Sequence, residues 1–227
     1  MITIDCLADL HGHYPELEGG DLLIVAGDLT RKDEIEQYLE FFRWFQQQKY
    51  TKKVLIAGNH DNKLVGPWPG GAKGPFREDK TFYDFDYLCD SGTEFEYRED
   101  QECNFCKTPR DHSPWIKCSH TMMCPPKVEK TLKIWGSPHS LFFPQINPKC
   151  MAFTDSEYNL TSIYDKIPDD IDILISHGPP AGILDENFEG HRCGSQALMN
   201  AIERIRPRLV VFGHIHEQGG KIIRKIL

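Results

Sequence analysis

The chain has 227 residues, 40% of them hydrophobic and 26% charged, which suffices for one well-cored α/β domain and gives no reason from length to expect two. No apolar run approaches the length that spans a bilayer, so a soluble protein with no membrane partner is expected. A formal net charge of −8 argues against the broad basic surface that nucleic-acid binding needs.

In chain order, residues 2–7 open on an apolar alternation without the basic flank and long apolar core of a signal peptide, so a cytoplasmic location is expected. A second apolar run covers 22–26. Residues 33–48 then place Ile35, Tyr38, Leu39, Phe42 and Phe45 at helical spacing, with Thr30 and Asp33 in the position of a cap. A third run, 54–57, precedes a stretch over 65–75 rich in Gly and Pro that reads as a loop. Residues 97–130 lack a clear period and concentrate Cys, Pro, Lys and Asp, the composition of an insertion into a single domain spanning 1–227.

Four of the eight cysteines, Cys103, Cys106, Cys118 and Cys124, fall in that insertion, where Cys103 and Cys106 have a zinc-knuckle spacing and the second pair is wider. A structural zinc, a Cys-containing surface loop and disulfides all remain open. Further runs follow at 132–135, 171–175 and 209–212, with a helix at 196–205 that stops before Pro207. Nearly continuous apolar runs of this length fit strands covered on both faces, and so a layered α/β architecture.

The informative pattern lies at the ends of those runs: Ala8-Asp9-Leu10-His11, Gly27-Asp28, Gly58-Asn59-His60-Asp61, Ser176-His177-Gly178 and Gly213-His214-Ile215-His216. Each places imidazole, carboxylate or amide groups at a strand's carboxyl end, the edge where ligands bind in open α/β sheets. Taken singly, each motif has an ordinary explanation as a turn or cap. Together they offer nitrogen and oxygen donors of the kind that hold a pair of divalent transition metals, with no thiolate among them. The two-residue spacing of Asp9 with His11, and of His214 with His216, lets each pair face one way if the backbone stays extended.

These five blocks, in this order, resemble the hallmark series of the calcineurin-like metallophosphoesterase superfamily. The segments 134–139, 175–185 and 206–217 look like its metallophosphoesterase-domain (MPPED) branch. The resemblance covers residues 1 to about 61 and about 131 to 220. It implies a four-layer α-β-β-α sandwich of two mixed β-sheets flanked by helices. It also implies two divalent ions, of Mn, Fe, Zn or Mg. Asp9, His11, Asp28 and His216 would hold one ion and Asp28, Asn59, His177 and His214 the other, with Asp28 bridging. Asn59 and His60 would contact the phosphate, and His60 would protonate the leaving oxygen.

The implied activity is hydrolysis of small phosphodiesters such as cyclic nucleotides, or of phosphomonoesters, by a hydroxide held between the ions. A non-catalytic scaffold of the same fold and a nuclease of the same superfamily are the alternatives. Arg31 stands where protein phosphatases carry the acidic residue that supports the catalytic histidine, which argues against protein dephosphorylation. The roles of Trp68, His139, Phe142 and Phe143 are not legible from the sequence.

Overall fold

The computed structural model describes residues 2–65, 84–99, 128–143 and 149–220. The apolar runs become strands, joined by short helices: β1 (Ile4–Leu7), β2 (Gly20–Ala26), α1 (Ile35–Gln47), β3 (Tyr50–Ile56), β4 (Asp86–Tyr87), β5 (Ser91–Glu99), β6 (Val128–Ser137), β7 (Ser140–Leu141), β8 (Thr154–Asp155), α2 (Glu157–Tyr164), β9 (Ile173–Ser176), α3 (Gln196–Ile205) and β10 (Leu209–Val211). One sheet has the order β1-β2-β3-β4 and a second the order β10-β9-β6-β5, with β7 and β8 paired apart from both. Two mixed sheets are expected from the resemblance. Among the described strands the first sheet is parallel throughout, and only the second is mixed, through the antiparallel β5.

The layering follows from the period of two within each strand. In β2, Leu22, Ile24 and Ala26 pack with Val54 and Ile56 of β3 against Phe95, Leu132, Ile134, Ile173, Ile175 and Val211 of the second sheet. Leu23 and Val25, pointing the other way, pack beneath Tyr38, Phe41, Phe42 and Phe45 of α1. On the far side of the second sheet, Leu174 and Val210 meet Leu160 and Tyr164 of α2 and Leu198, Ala201, Ile202 and Ile205 of α3. The order is therefore helix, sheet, sheet, helices. Each large apolar side chain buried this way contributes about 1.5–3 kcal/mol, so the strand ends are held on a stiff frame.

Three local expectations change. Helix α1 begins at Ile35 after Glu34, with no side-chain cap. Asp33 instead accepts hydrogen bonds from the Tyr38 hydroxyl at 2.6 Å and the Lys63 amide at 3.0 Å, which ties the helix to the loop after β3. The buried stripe of α1 runs through Phe41, while Ile35 is exposed and Leu39 only partly covered, because the sheet lies beneath the Tyr38, Phe41, Phe42 and Phe45 face. Helix α2 was not expected. It is short, with Leu160 and Tyr164 its buried positions, and depends on a Ser156 cap. The Glu157 carboxylate fastens its start to the next helix, accepting from Ser195 Oγ at 3.1 Å and from the Ala197 amide. Helix α3 is capped by Ser195, which accepts from the Leu198 amide at 3.1 Å, and ends on a left-handed Arg206 just before Pro207.

The residues assigned to the insertion also change at its margins. Residues 97–99 and 128–130 are paired strand, with Tyr97 opposite Lys130 and Glu99 opposite Val128. The Phe95 and Tyr97 rings stack at 6.0 Å, so this hairpin has an apolar anchor that its charged neighbours hide in the sequence. The cluster Cys103, Cys106, Cys118 and Cys124, like Trp68 and most of the 65–75 stretch, lies outside the described residues.

Directly opposed strand ends can be closed by a two-residue turn. Replacing residues 100–127 with Asn-Gly should therefore leave the domain folded, with a melting temperature within a few degrees of the parent. A variant recovered only as aggregate would show that the segment is part of the folding unit.

Candidate metal centre

Strands β1, β2 and β3 run parallel, as do β6, β9 and β10, so the ends of both sheets carry their polar residues toward a shared edge. There the His177 Nδ1 donates to the Ala26 carbonyl across the sheets at 3.0 Å, and the His214 amide donates to both Asp9 oxygens at 3.0 and 2.9 Å. The backbone does not stay extended through these motifs. Asp9, His11, Asp28 and His214 all take left-handed conformations, with φ of 53°, 45°, 54° and 72°. Such a backbone costs a non-glycine residue roughly 1–3 kcal/mol and persists where surrounding contacts hold it. Here Asp9 N–H donates to the Gly27 carbonyl and His11 N–H to the Asp28 carbonyl, which turns both side chains toward Asp28.

All seven expected ligands come together in two overlapping groups. Donor atoms of Asp9, His11, Asp28 and His216 lie within 4.8 Å of one another. Within that group His11 Nε2 is 3.2 Å from His216 Nε2 and 3.6 Å from Asp28 Oδ2. In the second group, Asn59 Oδ1 is 2.8 Å from His177 Nε2 and 2.8 Å from His214 Nδ1, and His177 Nε2 is 3.5 Å from Asp28 Oδ1. Donors bound at about 2.1 Å around one ion sit about 3.0–3.4 Å apart, so these separations suit a divalent cation in each group. The donor set of imidazole nitrogens with carboxylate and amide oxygens suits Mn, Fe or Zn.

Two features keep the donors presented correctly. The Ala26 carbonyl only accepts, so in its neutral form His177 keeps its proton on Nδ1 and turns the Nε2 lone pair inward. Asn59 Nδ2 donates to the Cys150 carbonyl at 3.1 Å, which directs Oδ1 toward the two histidines.

Glycines beside the donors are there for closeness. A Cβ on Gly58 would stand 2.3 Å from Asp28 Oδ1, and one on Gly213 would stand 2.3 Å from Asp9 Oδ2.

Charge and burial act together at this edge. Burial alone would lift the Asp9 carboxyl, but the nearby His216 imidazole, the His177 charge and the His214 amide hold it below the usual carboxylate range. Burial, then the positive charge of His177, pushes His214 down to about 4, which keeps it in the neutral form a metal requires. For His177 burial is also the largest influence, yet Asp28 and Asp9 outweigh it and leave the imidazole above its ordinary value. Protons therefore compete with a cation at that nitrogen as pH falls.

His60 is outside both donor groups. Its amide donates to Asp28 Oδ1 at 2.9 Å, and its Nε2 is 3.9 Å from Asp28 Oδ2, so the ring faces the centre without belonging to it. Asp61, quoted in the same motif but given no role by the sequence, is fully buried and braces the turns. Its oxygens accept from the amides of Leu29 at 3.2 Å and Gly58 at 2.8 Å. Burial first, and the charge of Asp28 second, push its carboxyl up to about 7.

A cleft of about 550 Å³ opens over the centre, walled by Leu141, Phe142, Phe143, Met151 and Phe188 and rimmed by Glu189 and Glu217. No described Lys or Arg lines it. His139 lies outside the lining: its Nε2 is 2.9 Å from Asp90 Oδ2 and its Nδ1 is 3.1 Å from the Phe153 carbonyl, a structural tie. Phe142 and Phe143 were singled out in the sequence without a role, while Leu141, Met151, Phe188 and Cys150 escaped it, since such residues carry no period to announce them.

The layered fold is matched by family comparison. The chain belongs to the calcineurin-like phosphoesterase family, whose profile matches residues 2–218, and metal-dependent phosphoester hydrolysis is the chemistry of that class. It is 30% identical to human metallophosphoesterase domain-containing protein 1 over 95% of this chain and 60% of that protein. It is 27% identical to a UPF0046 protein of Caenorhabditis elegans over 95% of this chain and 69% of that one. It is also 30% identical to a probable rhamnogalacturonate lyase C of Emericella nidulans, over 97% of this chain and 18% of that one. A crystal structure of 12% sequence identity superposes with a TM-score of 0.58 over 95% of this chain and 85% of its own, a likeness of fold. No helix among the described residues is long and apolar enough to cross a membrane.

Proposed function

We propose that this chain is a dinuclear metal-dependent phosphoesterase acting on small phosphodiesters, cyclic nucleotides among them, through one domain that carries an insertion. The observation that carries the reading is the convergence of donors from five strand ends into two groups that share Asp28. Asp9, His11, Asp28 and His216 would hold one ion, and Asp28, Asn59, His177 and His214 the other. Bound there, two divalent cations supply charge neutralisation for the phosphate and an acidified water as nucleophile.

The chain's own groups do the rest. Asn59 and His60 flank the position of the phosphate, and His60, outside the donor groups, delivers a proton to the leaving oxygen through Nε2. The cleft supports a diester over a monoester, because the Glu189 and Glu217 carboxylates in its lining repel a dianion more than a monoanion. Phe142, Met151 and Phe188 offer an apolar wall for the organic half of the ester, as a nucleobase would require.

The purified chain is expected to carry about two divalent ions and to hydrolyse bis(para-nitrophenyl) phosphate faster than para-nitrophenyl phosphate, with activity abolished by chelation and restored by Mn or Zn. Elemental analysis and initial rates check this. Full activity in chelated protein would remove the reading, and a faster rate on the monoester would remove its diester part.

A further inference from the structure

We infer that Cys150 is a positioning residue for His60, holding one ring nitrogen so that the other is aimed at the leaving oxygen. The inference rests on His60 acting as the proton donor. Cys150 Sγ is 3.3 Å from His60 Nδ1, within hydrogen-bond range for sulfur, and both residues line the cleft over the candidate metal centre. The contact bridges 90 positions of sequence, so the fold brings the two together.

The segment around Cys150 is pinned to the Asn59-His60 loop on both sides. Asn62 Nδ2 donates to the Lys149 carbonyl at 3.0 Å, Asn59 Nδ2 to the Cys150 carbonyl at 3.1 Å, and the Ala152 amide to the Asn59 carbonyl at 3.2 Å. Three bonds thus fix the backbone that presents the sulfur, and the sulfur fixes the ring. With Nδ1 engaged, Nε2 is left facing the carboxylate of Asp28, 3.9 Å away, on the side where the phosphate would lie. Arg31 is exposed and outside the cleft lining, so it supplies no counterpart to the carboxylate that supports the histidine in protein phosphatases. A thiol stands at the ring nitrogen instead.

The side-chain and main-chain roles of Cys150 separate experimentally, because replacing the side chain leaves the carbonyl bond to Asn59 in place. Cys150→Ala, Cys150→Ser, His60→Gln and the double variant Cys150→Ala with His60→Gln are compared on two diesters. One is a cyclic nucleotide, whose leaving group is an alkoxide, and the other bis(para-nitrophenyl) phosphate, whose leaving group needs little protonation. Metal content is counted in each protein.

Cys150→Ala should lower kcat on the cyclic nucleotide by about tenfold to a hundredfold, the usual cost of losing a group that orients a catalytic one, with a smaller loss on the nitrophenyl ester. Metal per chain should not change, Cys150→Ser should recover most of the rate, and the double variant should be no slower than His60→Gln alone. Losses from Cys150→Ala that multiply with those from His60→Gln, or that follow a fall in metal content, would overturn the positioning role. The proton-donor reading fails separately, if His60→Gln alone slows both esters equally.

Discussion

Asp28→Asn is expected to abolish the paired metal site, lowering bound metal from about two ions per chain to one or none and kcat/KM by at least about a hundredfold, the upper end of what losing a mere supporting partner of a metal ligand costs. The side chain is buried, with one oxygen facing His177 and the His60 amide and the other facing His11 and His60. It is the only residue common to both donor groups. The amide is nearly the same shape, but it replaces an anionic oxygen with an NH2 that has no lone pair for a cation. A second consequence distinguishes loss of binding from misfolding. The charge of Asp28 helps to push the buried Asp61 carboxyl up to about 7, so its removal relieves a like-charge contact. The same charge supports the buried His177 imidazole, so the two effects offset and chelated Asp28→Asn should melt within a few degrees of the chelated parent. Two ions per chain and a rate within about tenfold of the parent would show that Asp28 bridges nothing.

Gly58→Ala should be nearly as damaging although no functional group is lost. The added methyl would stand 2.3 Å from Asp28 Oδ1 and 2.6 Å from both the Asp28 amide nitrogen and His177 Cε1. Those atoms are buried among well-packed neighbours, so the loop or the two donors must move. A displacement near 1 Å in a catalytic constellation can cost about a hundredfold in rate, and overpacking about 1–3 kcal/mol in stability. Gly182→Ala is the control: open space surrounds that Cβ position, but its φ of +80° makes the substitution strained. It should lose about 1 kcal/mol of stability and leave metal content alone. Equal activity in the two variants, measured with metal in excess, would refute a close-packing role for Gly58.

Much of this centre was legible because strand ends announce themselves. Residues 22–26 and 54–57 are apolar throughout, since both faces of β2 and β3 are covered, and the polar residue that ends each run stands at the rim. Asp28, Asn59 and His177 follow such runs, and although each taken singly has an ordinary explanation as a turn or cap, their recurrence at several strand ends pointed to one site. The two-residue spacing was read on the condition of an extended backbone, and Asp9, His11 and His214 do not meet it: left-handed turns bring these donors together instead. Strand β5 was missed in part because Glu94, Glu96 and Arg98 dilute the signal of Phe95 and Tyr97. Cys150 and Asp61 matter through distant or buried contacts, for which a linear pattern has no sign.

The hydrogen bonds from the His214 amide to Asp9 join residues 205 positions apart. On a ribosome, Asp9, His11, Asp28 and Asn59 emerge long before His177, His214 and His216 exist, so each donor group waits on β10 and the turn that follows it. Early in synthesis the nascent chain offers a cation three or four scattered donors and no cage. Capture of metal by these donors would thereby be deferred until β10 docks beside β9.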